Sequence, residues 1–170
     1  MYSSCDIVFR RALISDCDDV FRLFEQAVRE MNRRNIPQWD EVYPDRDTLL
    51  QDIFKEQMHI GLIDGRIACA YVVNSEYDEQ YKNGNWRYPD ASYRVIHRLC
   101  VSPDYQNKGV GAAAVRHIEQ SLRSEGVEAV RLDAFTLNPF ALRLYEKLGY
   151  SVAGFADFRK GRFCLMEKKL

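Results

Sequence analysis

A glycine-rich junction carries the strongest chemical signal in the chain: Val101-Ser102-Pro103-Asp104-Tyr105-Gln106-Asn107-Lys108-Gly109-Val110-Gly111-Ala112, where an expected strand ends and an expected helix begins. The free N–H groups at a helix start together carry about half a positive charge, and glycines let an anion approach without a Cβ in the way. The pattern predicts an anion cradle suited to a pyrophosphate. It is not a Walker loop, because G-x-x-x-x-G-K-[ST] is absent, nor a dinucleotide fingerprint, because G-x-G-x-x-G is absent. Other side chains offer proton or nucleophile chemistry. The ten tyrosines are phenols of pKa about 10, and the three histidines imidazoles of pKa about 6.5. Cys100 supplies a thiol that would need activation before it attacked anything. The three histidines, His59, His97 and His117, show no H-E-x-x-H or similar spacing, so no metal site is expected.

These residues must be positioned by elements whose periodicity is readable. Ile7–Ala12 reads as a strand, followed by Ser15-Asp16 as N-caps of a helix with Val20, Leu23, Phe24, Ala27, Val28 and Met31 on one face, ending near Asn35 before Pro37. Asp45-Arg46-Asp47 starts a shorter helix carrying Leu49, Leu50, Ile53 and Phe54. His59–Ile63 and Arg66–Val73 flank Asp64-Gly65, the dipeptide of a type I′ hairpin turn. Asn74–Ser92 is a long polar loop rich in aromatics, including Tyr77, Tyr81, Trp86 and Tyr88, which either serve function or pad a sheet edge. Tyr93–Val101 alternates as a strand, with Val95, His97, Leu99 and Val101 on one face and Ile96, Arg98 and Cys100 on the other. Then come a helix from Gly109 to Ser124 closed by Gly126, a strand Ala129–Phe135, a helix Phe140–Leu148 opened by Pro139 and closed by Gly149, and strands Tyr150–Phe155 and Arg162–Glu167. The order is β, two helices, three strands, helix, strand, helix, two strands, an α/β class with about four helices on a mixed sheet.

Composition narrows the partners. With 170 residues, 46% of them hydrophobic, and 24 Lys+Arg against 25 Asp+Glu, the chain reads as one domain spanning residues 1–170. A net charge of -1 gives no support for nucleic-acid or anionic-membrane binding. No stretch approaches the roughly 20 apolar residues of a membrane helix, and MYSSCDIVFRRA lacks a signal-peptide centre, so a cytoplasmic location is expected. Five widely spaced cysteines without a C-x-x-C argue against a disulfide framework and structural zinc.

Two motifs resemble the GNAT superfamily of acyl-CoA-dependent N-acetyltransferases. Gln106–Ala112, read as Q-x-x-G-x-G-A, is similar to that family's phosphate-binding signature, and Asn138–Tyr150, read as N-x-x-A-x-x-x-Y-x-x-x-G-[FY], is similar to its second signature. The resemblance covers roughly the C-terminal half, and the element order suits the family's twisted mixed sheet, splayed in the middle. It implies acetyl-CoA as cosubstrate. It further implies that backbone N–H groups of Asn107, Lys108, Gly109, Val110, Gly111 and Ala112 hold the pyrophosphate, with Gln106 completing the motif. The backbone of Leu99, Cys100 and Val101 would pair with the pantetheine, and Asn138 would contact its amide region. Lys108 would add a point charge to a phosphate or simply solvate the helix. Dimerisation is common in the family, and nothing in the sequence marks a surface for a homodimer.

The resemblance also places Tyr145 beside the CoA sulfur, as an acid for the departing thiolate or as a packing tyrosine that hydrogen-bonds it. Many members carry a glutamate where this chain has Val95. His97, two residues on, takes the place of a base, with Glu76 or Asp133 acting through water, or no dedicated base, as the alternatives. An acyl-Cys100 intermediate is disfavoured against direct transfer. The variable acceptor segment here is Asn35–Pro44, in which Trp39 and Tyr43 offer an apolar wall and Asp40, Glu41 and neighbouring Asp45 attract a cation, which suits a small cationic or aromatic amine. The alternative is a non-catalytic acyl-CoA-binding module of the same fold.

Overall fold

The computed structural model describes residues 1–170 except Ser4. The chain runs β1 (Val8–Arg11), α1 (Cys17–Arg33), α2 (Arg46–Phe54), β2 (Met58–Ile63), β3 (Arg66–Asn74), β4 (Tyr93–Val101), α3 (Val110–Ser124), β5 (Ala129–Phe135), α4 (Pro139–Lys147), β6 (Ser151–Phe158) and β7 (Gly161–Lys169). Short 3-10 turns lie at Ile14–Asp16, Glu79–Asn83 and Pro103–Tyr105. The expected order is therefore present, with the last two strands longer than their alternating apolar residues alone suggest. The backbone clusters into two compact units, the first comprising Met1–Val73 and Arg98–His117, the second Asn74–His97 and Ile118–Leu170.

In the first unit the strand order is β1-β2-β3 and then the second half of β4. The β2–β3 hairpin turns on Asp64 and Gly65, both at positive φ (49° and 74°), as a type I′ turn demands. Helix α1 buries Cys17, Val20, Leu23, Phe24 and Ala27, the i, i+3, i+4 stripe, against α2 residues Leu49 and Ile53 and strand residues Met58, Ile60, Ala70 and Val72. Each such large apolar side chain contributes about 1.5–3 kcal/mol through burial. Asp45 caps α2 as expected, its side chain accepting from the Thr48 N–H at 2.9 Å. Asp16 does not cap α1. Its carboxylate instead accepts from the Leu13 N–H at 2.7 Å and pairs with both terminal nitrogens of Arg10, because a 3-10 turn precedes the helix. On α3, His117 stacks on Phe9 with ring centroids 4.1 Å apart, and its burial lowers the imidazole pKa.

In the second unit the order is the first half of β4, then β5, β7 and β6. The parallel β4–β5 ladder covers only Tyr93–Val95 against Ala129–Arg131, whereas β5 pairs with β7 antiparallel along its whole length. Taken each by itself, the two units combine helices with mostly antiparallel strands, the α/β class expected. The loop after β3 is organised around Arg131. That guanidinium lies 4.4 Å from the Trp86 ring and 4.0 Å from the Tyr93 ring, donates from Nε to Glu167 Oε1 at 3.2 Å, and donates from Nη2 to the Tyr88 carbonyl at 3.0 Å. Gly84 is required for close approach, since a Cβ there would fall 2.5 Å from the Trp86 ring. Elsewhere in the unit, Lys168 Nζ donates to both oxygens of the buried Glu119 at 2.9 and 2.8 Å.

Two expectations follow. Lys168→Met leaves the buried Glu119 with only the longer contact to Arg123, whose Nη2 lies 3.7 Å from Oε2, and lowers stability by about 1–3 kcal/mol in urea titrations, whereas the double variant Lys168→Met/Glu119→Gln recovers most of the loss. For His117, the folded state favours the neutral ring, so the unfolded chain takes up a proton first as pH falls through the ordinary imidazole value of about 6.5. Unfolding free energy should fall between pH 7.5 and 5.5, and fall less in His117→Phe.

Candidate active site

In the first unit, the end of β4 is secured by the Ser102 N–H, which donates to the Ala68 carbonyl at 2.9 Å. The 3-10 turn then leads to Gln106, whose Nε2 donates back to the Val101 carbonyl at 3.2 Å. Asn107 (φ 59°) and Gly109 (φ 87°) reverse the backbone twice within three residues and deliver it into α3. The first helical donor is the Ala113 N–H, bonded to the Gly109 carbonyl at 3.0 Å. The N–H groups of Val110, Gly111 and Ala112 therefore precede the intrahelical ladder, and they are the groups an anion would engage. Gly109 is doubly constrained, because a Cβ there would also lie 2.9 Å from the Tyr2 carbonyl oxygen and 2.8 Å from Met1 Cγ. Lys108 turns back on its own loop, its Nζ donating to the Asp104 carbonyl at 2.7 Å and sitting 5.8 Å from the Tyr105 ring.

Strict alternation does not run through β4. Arg98 has φ 51°, a left-handed backbone that costs a non-glycine residue about 1–3 kcal/mol and requires surrounding support. The support is a bidentate pair to buried Asp52, Nε to Oδ2 at 2.8 Å and Nη2 to Oδ1 at 2.6 Å. Arg98 Nη1 also donates to the Tyr43 hydroxyl at 2.6 Å. Trp39, 8% exposed, packs in the core with its ring 5.3 Å from Phe24, whereas Tyr43 keeps 38% exposure. Of the carboxylates expected to attract a cation, Asp40 accepts from the Val42 and Tyr43 N–H groups and Asp45 from Thr48. Cys100 lies in the core, and burial raises its thiol far above its ordinary pKa, while Cys69 is pushed up to about 12 for the same reason. Neither is a thiolate at neutral pH.

In the second unit, Tyr145 on α4 is buried with its ring edge-on to Tyr150 at 5.6 Å. Burial first, and the Asp133 charge second, raise its phenol well above the ordinary value, so the hydroxyl is fully protonated. Asp133 on β5 accepts at 2.7 Å from the hydroxyl of Tyr81, a buried loop residue. Val95 is fully buried with Tyr81, Ala156 and Leu165, an apolar setting hostile to a carboxylate. His97 Nε2 lies 2.8 Å from Asn74 Oδ1 and 3.0 Å from the Glu76 carbonyl oxygen. Asn138 caps α4, its Oδ1 accepting from the Ala141 N–H at 3.2 Å. Leu99 and Val101 are half-buried strand residues of the first unit.

Sequence reasoning missed Asp52 and Asn74, and it named Tyr81 only as one of four loop aromatics. Asp52 was detectable as a polar residue on the Leu49/Ile53 stripe of α2, at the spacing reserved for core. Tyr81 lies in a loop without periodicity, and only its hydrogen bond to Asp133 distinguishes it from its aromatic neighbours.

A family model described as Acetyltransferase (GNAT) family matches residues 24–150. Among curated proteins, the chain is similar to S-(2-succino)cysteine N-acetyltransferase of Bacillus subtilis (strain 168), 23% identical over 165 residues, with 95% of this chain and 94% of the relative covered. It is also similar to [Ribosomal protein bS18]-alanine N-acetyltransferase of Escherichia coli (strain K12), 36% identical over 59 residues, 35% of this chain and 40% of that one. Among solved structures, a GNAT-family acetyltransferase from Streptococcus agalactiae 2603 aligns with TM-score 0.84 and 23% identity over 96% of this chain and 95% of that one. PaiA N-acetyltransferase from Thermoplasma acidophilum, in complex with coenzyme A, aligns with TM-score 0.73 and 19% identity over 96% of this chain and 99% of that one.

The buried thiols give a direct check on the nucleophile. Of the cysteines, Cys5 is exposed and Cys17, Cys69, Cys100 and Cys164 are buried. Ellman titration of the native protein should show one fast thiol, lost in Cys5→Ser, with the other four reacting only after unfolding. Fast reaction at Cys100 would revive an acyl-cysteine route.

Proposed function

The chain belongs to the acetyltransferase (GNAT) family of acetyl-CoA-dependent N-acetyltransferases, and from that premise we propose that it transfers acetyl directly to the primary amine of a small molecule. The observation that carries the mechanism is Tyr145, whose buried phenol beside Asp133 is held in its hydrogen-bond-donating form. An alkylamine of pKa about 10.4 is neutral in only roughly one molecule in a thousand at pH 7, so attack begins with loss of a proton. His97 accepts that proton. The amine nitrogen then bonds to the carbonyl carbon, and as the tetrahedral intermediate collapses the carbon–sulfur bond breaks, the nitrogen's second proton passing through solvent to the departing thiolate. A backbone N–H of Leu99 or Cys100 faces the oxygen as it gains charge.

Tyr145 serves the sulfur by donating a hydrogen bond rather than by surrendering its proton. An ordinary phenol is about 1.5 pKa units weaker as an acid than a thiol, so full transfer is uphill by about 2 kcal/mol, and burial makes it steeper still. The cosubstrate fits the first unit's loop. The N–H groups of Val110, Gly111 and Ala112 suit a pyrophosphate, and the chemistry that acetyl-CoA supplies is an activated thioester. Lys108, already engaged by Asp104, contributes little beyond shaping the turn. The small-molecule acceptor is favoured by near full-length similarity to a relative whose name specifies a modified cysteine, against a 59-residue match to the ribosomal-protein enzyme. Tyr43, half-exposed and gripped by Arg98, is the residue best placed to meet an aromatic or cationic acceptor, with Trp39 supporting the segment from the core.

One observation favours a second reading, an acyl-CoA-binding module without turnover: Val95 occupies a sealed apolar position where relatives of this fold often hold a glutamate. Thiol release from acetyl-CoA with a panel of amines separates the two. We expect release with small amines, lowered about 100-fold in His97→Ala and about tenfold in Tyr145→Phe. No release with any amine, while CoA still raises the melting temperature, would establish the module.

A further inference from the structure

We propose that Asn74 is a positioning residue that fixes the tautomer of His97, so that Nδ1 is the nitrogen that takes the amine's proton; the consequence for catalysis rests on His97 being the base. The argument starts from hydrogen-bond valence. Asn74 Oδ1 accepts from the Glu76 backbone N–H at 3.0 Å, which settles which end of the amide is oxygen. That same oxygen lies 2.8 Å from His97 Nε2, and the Glu76 carbonyl oxygen lies 3.0 Å from it. Both neighbours are acceptors, so Nε2 must carry a hydrogen in the neutral ring. The lone pair is then on Nδ1. A tautomer with the hydrogen on Nδ1 would set a nitrogen lone pair against two oxygens in a partly buried site, forfeiting both hydrogen bonds.

One side chain organises both acceptors. Asn74 is 9% exposed at the end of β3, where the chain leaves the sheet, and its grip on the Glu76 N–H forms a local turn that brings the Glu76 carbonyl to the ring. Protonation at Nδ1 leaves both Nε2 contacts in place, so the imidazole gains and loses its proton without turning. A base that need not reorient between cycles holds its lone pair in one direction throughout.

The test is side-chain 15N NMR of His97 in the full chain together with steady-state kinetics. Above the imidazole pKa the wild-type ring should show Nε2–H with Nδ1 unprotonated. In Asn74→Leu the signal should move toward a tautomer mixture, with kcat reduced about tenfold and KM for acetyl-CoA within about twofold. Asn74→Asp, which keeps the acceptor oxygen, should restore the tautomer and most of kcat. A wild-type ring protonated at Nδ1 would overturn the proposal, and so would an Asn74→Leu protein with unchanged tautomer and kcat. If Asn74→Leu does not fold, the wild-type and Asn74→Asp spectra still decide. Full kcat in His97→Ala would refute the base reading alone, leaving the tautomer assignment to stand or fall on the spectra.

Discussion

The buried Arg131–Glu167 pair is the constraint on which the second unit depends. Two charges taken from water lose several kcal/mol of solvation each, a cost offset here by their mutual attraction and by further hydrogen bonds and ring contacts on both partners. Glu167 accepts from Arg131 with one oxygen and from the Arg87 N–H with the other, at 2.9 Å. Arg131 adds the Tyr88 carbonyl and lies against two aromatic rings. Three consecutive loop residues, Trp86, Arg87 and Tyr88, are thereby tied to β5 and β7. Trp86 passes the restraint on, its Nε1 donating to the Tyr81 carbonyl at 2.9 Å, and Tyr81 reaches Asp133. An apolar replacement for the pair would give the loop no hydrogen bonds to register against.

What was legible in the sequence is what is determined locally. Asp-Gly fixes a hairpin because its two residues alone tolerate the required φ values, and the glycine-rich junction declares itself because a helix start and an unobstructed backbone are both local properties. The Asn74–Ser92 loop was not legible in the same way. Its aromatics have neither period two nor period 3.6, and their partners, Arg131, Asp133 and Glu167, lie far along the chain. The turn of Arg98 into left-handed geometry was hidden for the same reason: alternation across Tyr93–Val101 is regular in the letters, and it is Asp52, 46 residues away, that holds the exception.

Burial here sets protonation as much as it sets stability. Tyr145, Tyr81, Cys69 and Cys100 all have their acidities suppressed chiefly by loss of water, so each is a neutral group at physiological pH. The second unit adds a different device at His97, where the proposed role of the Asn74 and Glu76 oxygens is to direct the ring's proton to Nε2. Fixed hydrogen-bond direction and controlled neutrality are what an amine-acylating site needs, because its substrate must give up a proton while its leaving sulfur must not be left bare.

The distribution of thiols bears on what such chemistry leaves behind. Acyl transfer from a thioester liberates a free thiol at each turnover, and in aerobic conditions that thiol accumulates partly as disulfide. Exchange onto a protein requires an accessible thiolate. With Cys69 and Cys100 buried and suppressed, and Cys17 and Cys164 also buried, a disulfide formed from the spent cosubstrate can be exchanged only onto Cys5 near the chain start. The interior is thereby insulated from its own by-product, and ageing of the protein in air should appear as a single mixed disulfide.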